Sequence, residues 1–216
     1  MPTKVRATEP TPTRAVGVHF EGDLRPVLLE AARAEHLAVG SERMSLRAVA
    51  RRAGVSHAAP AHHFGDKEGL LTALASEGFR ILLDALDSAA ADTPDVATGL
   101  ARLGAAYADF AEAHPSHFDV MFRSTGINRD DPEYLEVSAA AYDALGGQVA
   151  LMQRSGWRVT TPLDELTTAT WALVHGLSAL RAQGALDARH PAMATTDIIR
   201  IAGALTSTEN LSAPAD

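Results

Sequence analysis

Residues 46–71 read LRAVARRAGVSHAAPAHHFGDKEGLL. Ser45, immediately before this stretch, is a residue whose hydroxyl can accept a backbone N–H at a helix start, and Leu46, Val49, Ala50 and Ala53 follow it at helical spacing. Gly54 tolerates the left-handed conformation that stops a helix. Ser56 offers a second cap only two residues later, and Asp66 a third, at the head of a long apolar run through Leu70, Leu74, Leu82 and Leu86. Two short helices joined by so tight a glycine turn make a helix-turn-helix, with Val55 as the apolar plug between them.

Upstream, Asp23 caps a first helix whose opening turn tolerates Pro26, with Leu24, Val27, Leu28 and Ala31 on one face and an end near Gly40. Residues 1–19 carry three prolines and no helical period, and they read as a disordered arm. Downstream, the fourth helix runs to a break at Asp92–Thr93–Pro94. Leu100, Leu103, Tyr107 and Phe110 then form a stripe that ends before Pro115, and Phe118, Met121 and Phe122 mark a short helix. Two long helices follow, from about Glu133 to Arg154 and from about Pro162 to Gly184, and a last one carries Met193, Ile198, Ile201 and Leu205. The expected fold is all-α, about nine helices. Its expected units are a head at 20–68 that carries the helix-turn-helix and a helical body at 69–210.

Charge divides the same way. The first 69 residues hold ten Lys and Arg against eight Asp and Glu, a balance of +2, which leaves −10 for the rest of a chain whose net charge is −8. A mildly basic head on an acidic body suits a protein that meets phosphate at one end only. The chain contains no cysteine, which removes disulfides, thiolate metal sites and a catalytic thiol from consideration. No apolar run is long enough for a membrane span and the N-terminus lacks a secretory h-region, so a cytoplasmic protein without membrane attachment is expected.

Leu46–Leu71 resembles the DNA-binding segment of the TetR family, above all at Ala53–Gly54–Val55–Ser56, His63–Phe64 and Lys67–Glu68. Farther on, His114–Pro115, Met121–Phe122 and Trp171-x-x-x-His175–Gly176 resemble a ligand-domain subfamily with a Trp-x-x-x-His-Gly signature. The resemblance implies phosphate contacts at Ser45, Ser56, His62, His63 and Lys67 and base reading by His57 and Ala58; Arg47 is counted among the DNA-contacting residues. A histidine can donate to guanine N7 or O6, and an alanine can meet a thymine methyl. Lys67 stands in a first helical turn, where a cation opposes the helix dipole unless an anion compensates it. Phe64 is assigned to the core beneath the reading helix. Two departures stand out. Ala61 occupies a position where the family usually has a phosphate-contacting tyrosine, and Pro60 falls at about the fourth position of a helix counted from Ser56, where it would remove a backbone donor.

In the body, the resemblance places Tyr107, Phe110, Phe118, Met121, Phe122, Trp171 and His175 around an effector. Packed core is the competing reading for each, because a core face and a pocket face share one period. His57, His62 and His63 do not share a helical face and have no acidic ligand in register, so no metal is expected, and no cofactor. Enzyme motifs such as GxSxG, HExxH or a phosphate-binding glycine loop are missing, which leaves a helical-bundle enzyme or a protein-binding adaptor as the rival readings. The expected partners are double-stranded operator DNA, a small apolar or aromatic effector of modest size, and a second copy of the chain. Leu166, Thr170, Leu173, Leu177 and Leu180, with the stripe of the last helix, are expected to pair with their two-fold mates in a four-helix bundle.

Overall fold

The structure, a computed structural model, describes residues 23–91 and 95–186. They form eight helices and no strand: α1 (Leu24–Arg43), α2 (Leu46–Ala53), α3 (Ala59–Phe64), α4 (Lys67–Ala91), α5 (Val96–Ala113), α6 (Pro115–Arg123), α7 (Pro132–Arg154) and α8 (Leu163–Ala182). The N-terminal arm, the Asp92–Thr93–Pro94 break and the helix expected around Met193–Leu205 lie outside the described residues.

Local chemistry sets the ends of these helices. Asp23 accepts from Arg25 N at 2.9 Å, Ser45 from Ala48 N at 3.2 Å, and Asp66 from Gly69 N at 2.9 Å. Asp95 and Asp131 do the same for α5 and α7. Each satisfies one of the backbone donors that a helix start leaves open. At Gly40 the backbone leaves the helical region, with φ +76° and ψ 166°, and one further turn carries α1 on to Arg43. Gly54 closes α2 with φ +70°, and the Val55 N–H reaches back to Ala50 O at 3.0 Å. That six-residue bond requires a left-handed residue, which glycine adopts without cost.

The turn into α3 differs from the sequence reading. Ser56 does not cap the helix through its side chain. Its carbonyl accepts from Ala59 N at 3.0 Å to make a turn, and α3 begins at Ala59 with Ala58 as an N-cap that contributes no side-chain bond. Starting the helix two residues later moves Pro60 into the first turn. There it forfeits no intrahelical bond, and its fixed φ suits the helix, so the expected distortion does not arise. Pro60 is buried against the head.

Helix α4 is the axis of the molecule. Its 25 residues extend about 37 Å. One continuous core runs along it, from Leu28 in α1 through Leu70, Leu74 and Phe79 to Met121, Tyr134 and Val174. Helices α5, α6 and α7 pack around α4, and α8 closes against α5 and α7. The α8 stripe expected to lack partners within the chain is split. Leu166 is buried against Val149 and Trp157, Leu177 packs on the main core, and Leu180 is 43% exposed. The cause is the turn between α7 and α8, which folds Trp157 back beneath the start of α8.

Close approach of α4 and α6 depends on Gly78. A Cβ there would lie 2.5 Å from Met121 Sδ and 2.9 Å from His117 Cβ. The sulfur could swing aside, but the His117 Cβ is fixed to its backbone. Gly78→Val is therefore expected to lower stability by about 2 kcal/mol, an overpacking cost larger than the helix propensity gained. Chemical denaturation would measure it, and a midpoint equal to wild type would show slack at this crossing.

Candidate nucleic-acid interface and ligand cavity

The residues expected to meet DNA come from four local segments: the start of α2, the α2–α3 turn, α3, and the first turn of α4. Ser45, Arg47, Ser56, His57, Ala58 and His62 are exposed; His63 and Lys67 are half-buried. Beneath them Val49 is fully buried, Val55 packs on the core between α2 and α3, and Phe64 faces inward under the Arg25 guanidinium at 5.2 Å. The Lys67 ammonium already has a partner, because Nζ donates to Glu42 O at 2.8 Å. That carbonyl belongs to the last turn of α1, where the helix dipole is negative, so the end of α1 compensates the cation that the first turn of α4 disfavours. Glu35 on α1 accepts from Arg52 on α2 at 2.8 Å and holds the helix-turn-helix to its supporting helix.

The head is joined to the body by polar contacts in an otherwise apolar interface. His36 of α1 is 5% exposed and meets three groups: Ser116 Oγ at 3.0 Å from Nδ1, and Ser41 Oγ at 3.0 Å and Asp119 Oδ2 at 3.2 Å from Nε2. Burial pushes its pKa down, and Asp119 opposes the shift. Next to it, His117 Nε2 lies 2.9 Å from Glu77 Oε2. At the start of α7, Glu133 pairs with Arg25 of α1 at 3.5 Å and with Arg80 of α4. One carboxylate thus links the head, the axial helix and the body.

Between α4, α5, α6, α7 and α8 lies a cavity of about 1020 Å³. Its walls are chiefly apolar, with Phe79, Leu82, Leu103, Met121 and Phe122 among them. One polar group of three is set into the wall. Trp171 Nε1 donates to Tyr107 Oη at 3.4 Å, and Tyr107 Oη lies 2.8 Å from His175 Nδ1. An indole can only donate, so the phenol oxygen receives that bond, and the proton of the second bond is carried by either Tyr107 or His175 Nδ1. Burial favours the neutral form of both groups, raising the Tyr107 pKa and lowering that of His175.

Of the aromatic and sulfur residues expected around an effector, Tyr107, Met121, Phe122, Trp171 and His175 line this cavity. Phe110 and Phe118 do not. Phe118 stacks on His175 at 5.2 Å and so supports the wall from behind, while Phe110 stacks on His114 at 5.3 Å. Both are buried, Phe118 among Tyr107, Phe122 and His175 and Phe110 beside His114. Sequence reasoning missed Phe79, Leu82 and Leu86 on α4 and Arg129, Tyr134 and Tyr142. The α4 residues carry the same helical period as core. Arg129 and the two tyrosines had no motif to mark them.

A glycine-turned helix pair on a three-helix head, backed by a helical body around an apolar cavity, defines the class of helix-turn-helix DNA-binding regulators. Residues 28–74 match the family described as bacterial regulatory proteins, tetR family, and residues 100–200 match a tetracyclin repressor-like C-terminal domain. The chain belongs to the TetR family and is a DNA-binding transcription regulator. It is 31% identical to a protein of unknown function from Rhodococcus sp. RHA1, covering 88% of this chain and 96% of that one with a TM-score of 0.73. The fold is shared with the TetR-family regulator PfmR from Thermus thermophilus, at 20% identity, 83% and 96% coverage and a TM-score of 0.66. It is also shared with the regulator FadR from Bacillus subtilis in complex with stearoyl-CoA, at 13% identity, 84% and 95% coverage and a TM-score of 0.68. No curated protein matches the chain in sequence. Among the described residues no helix is long and apolar enough to cross a membrane.

Burial lowers the pKa of His36, His114 and His175. Each therefore binds a proton more readily unfolded than folded. The stability this contributes is fully present above the ordinary histidine pKa of about 6.5 and is lost as pH falls through it, levelling off below the folded-state values. Denaturation midpoints are expected to fall between neutral pH and pH of about 5, with His36→Gln giving a shallower dependence. An unchanged slope in that variant would show that His36 takes no part in the effect.

Proposed function

We propose that the protein is a homodimeric repressor that binds a pseudo-palindromic operator in the cytoplasm and leaves it when a predominantly apolar ligand enters the cavity. The observation that carries this reading is that one helix serves both sites: α4 starts beside the helix-turn-helix at Lys67 and walls the cavity at Phe79, Leu82 and Leu86. Residues 20–68 act as the DNA-binding head and 69–210 as the effector and dimerisation body. Ser45, Ser56, His62, His63 and Lys67 contact phosphate, Arg47 contributes to the same surface, and His57 and Ala58 read bases. The protein works by binding and not by catalysis.

The cavity asks for a larger occupant than the modest effector expected from sequence. Ligand pockets commonly run from about 300 to about 1000 Å³, and this one stands at the top of that range. A ligand that favours a conformation with the two heads wrongly spaced weakens operator affinity by its differential binding free energy, and operator weakens the ligand by the same factor.

Light scattering at micromolar concentration is expected to give a dimer, and a monomer would overturn the two-fold arrangement on DNA. Fluorescence polarisation with the intergenic DNA beside the encoding gene tests the contacts. Lys67→Ala is expected to weaken all sequences alike and reduce the salt slope by about one, whereas His57→Ala relaxes preference at particular bases. Loss of the Lys67–Glu42 tie alone would leave the salt slope unchanged, so the slope separates a phosphate contact from a structural one.

A further inference from the structure

Among the described residues that line the cavity, Arg129 is the one arginine or lysine. It lies in the segment between α6 and α7, is exposed, and donates from Nη1 to the hydroxyl of the buried Tyr134 at 2.9 Å. No carboxylate of the described residues pairs with it. Of its acidic neighbours in sequence, Asp131 is committed to capping α7 through Tyr134 N at 3.0 Å, and Asp130 is exposed to solvent. The one acid among the described residues of the cavity wall, Asp143, stands nine residues beyond Tyr134 on α7, about 14 Å farther along the helix. The guanidinium is therefore held at the rim of an apolar chamber with most of its N–H donors unspent.

The segment that carries it is braced. Asn128 N donates to Thr72 Oγ1 on α4 at 2.9 Å, and Asp130 N donates to Asn128 Oδ1 at 3.0 Å. Side-chain and backbone freedom at Arg129 is thus reduced before any ligand arrives, which lowers the ordering cost of binding. An apolar chamber of about 1020 Å³ with a preoriented cation at its edge is complementary to an amphiphile that has a hydrocarbon body and one anionic head. A guanidinium fork matches a carboxylate in two parallel bonds.

Building on the cavity reading above, we infer that the effector is a monoanionic amphiphile, a long-chain carboxylate in its simplest form, whose head is taken by Arg129 while its tail lies among Phe79, Leu82, Leu103 and Phe122. Occupancy then pulls on a segment fastened to Thr72, in the second turn of α4 and close to the DNA head. Glu133, which joins α1 and α4, follows four residues after Arg129.

Isothermal titration calorimetry of the full-length protein with dodecanoate and dodecanol, both below their aggregation limits at neutral pH, tests this. Dodecanoate is expected to bind about tenfold tighter than dodecanol, the effect of one charge-assisted contact at a partly solvated rim. Arg129→Gln is expected to abolish that preference and leave dodecanol binding intact, while Arg129→Lys retains part of it. Equal affinity for the two probes in the wild type, or an undiminished preference in Arg129→Gln, would overturn the assignment. Trp171→Ala separates this from failure of the cavity reading. If it weakens both probes while Arg129→Gln changes nothing, the cavity binds amphiphiles without using Arg129. If neither probe binds the wild type, both the ligand class and the cavity's role for it fall.

Discussion

Helix α4 is buried along most of its length, and its two ends have different obligations. At Asp66 and Lys67 it must meet the helix-turn-helix in a fixed register, because the Asp66 side chain caps it and the Lys67 ammonium reaches across to α1. From Phe79 to Leu86 it must present a wall to the cavity. A helix with intact backbone bonding moves as a rod, so a tilt imposed at the cavity end appears at the head as a displacement and not as local softening. The close crossing with α6 at Gly78 lies between those ends. It gives the rod a contact about which it can turn but from which it cannot retreat, since there is no side chain at that point to compress.

Apolar packing alone would leave the head free to choose among similar poses on the body, because dispersion and burial are weakly directional. The polar contacts select one. His36 places Ser116 and Asp119 of α6 against Ser41 of α1, and Glu133 of α7 engages both Arg25 and Arg80. The Glu133 pairs are partly exposed and so of small energetic value, but they have defined geometry. His36 and Ser116 are buried, and their contact would cost more to break unpaired. The joint is consequently a site where a few contacts, each reformable in another arrangement, fix the pose of the head on the body.

Much of the head was legible from sequence because its signals are local. Ser45, Gly54 and Asp66 act through hydrogen bonds or dihedrals within a few residues of themselves, and each does in the structure what its chemistry implies. Ser56 shows the boundary of that logic. Its side chain could cap a helix, but its carbonyl makes a turn with Ala59 instead, and the later helix start turns Pro60 from a breaker into a favourable first-turn residue. In that first turn Pro60 is buried. On α8 the even spacing of Leu166 to Leu180 suggested one shared fate, whereas Trp157, brought back by the preceding turn, claims Leu166.

The cavity was legible only where a residue type was conspicuous. Trp171, His175, Tyr107 and Met121 stand out by chemistry, whereas Phe79, Leu82 and Leu103 are indistinguishable by period from side chains that touch other side chains. What distinguishes a cavity wall from a core is the absence of a partner across the gap, and that depends on how five helices are spaced, which no local pattern encodes. The polar members sharpen the point. Tyr107, Trp171 and His175 satisfy one another in a neutral chain of donors and acceptors, so they can face an apolar space without the desolvation cost of a charge. Arg129 could not be placed there on the same terms. It stands at the rim, where water reaches the guanidinium and Tyr134 fixes its direction, so the chamber has a charge at one edge and hydrocarbon within.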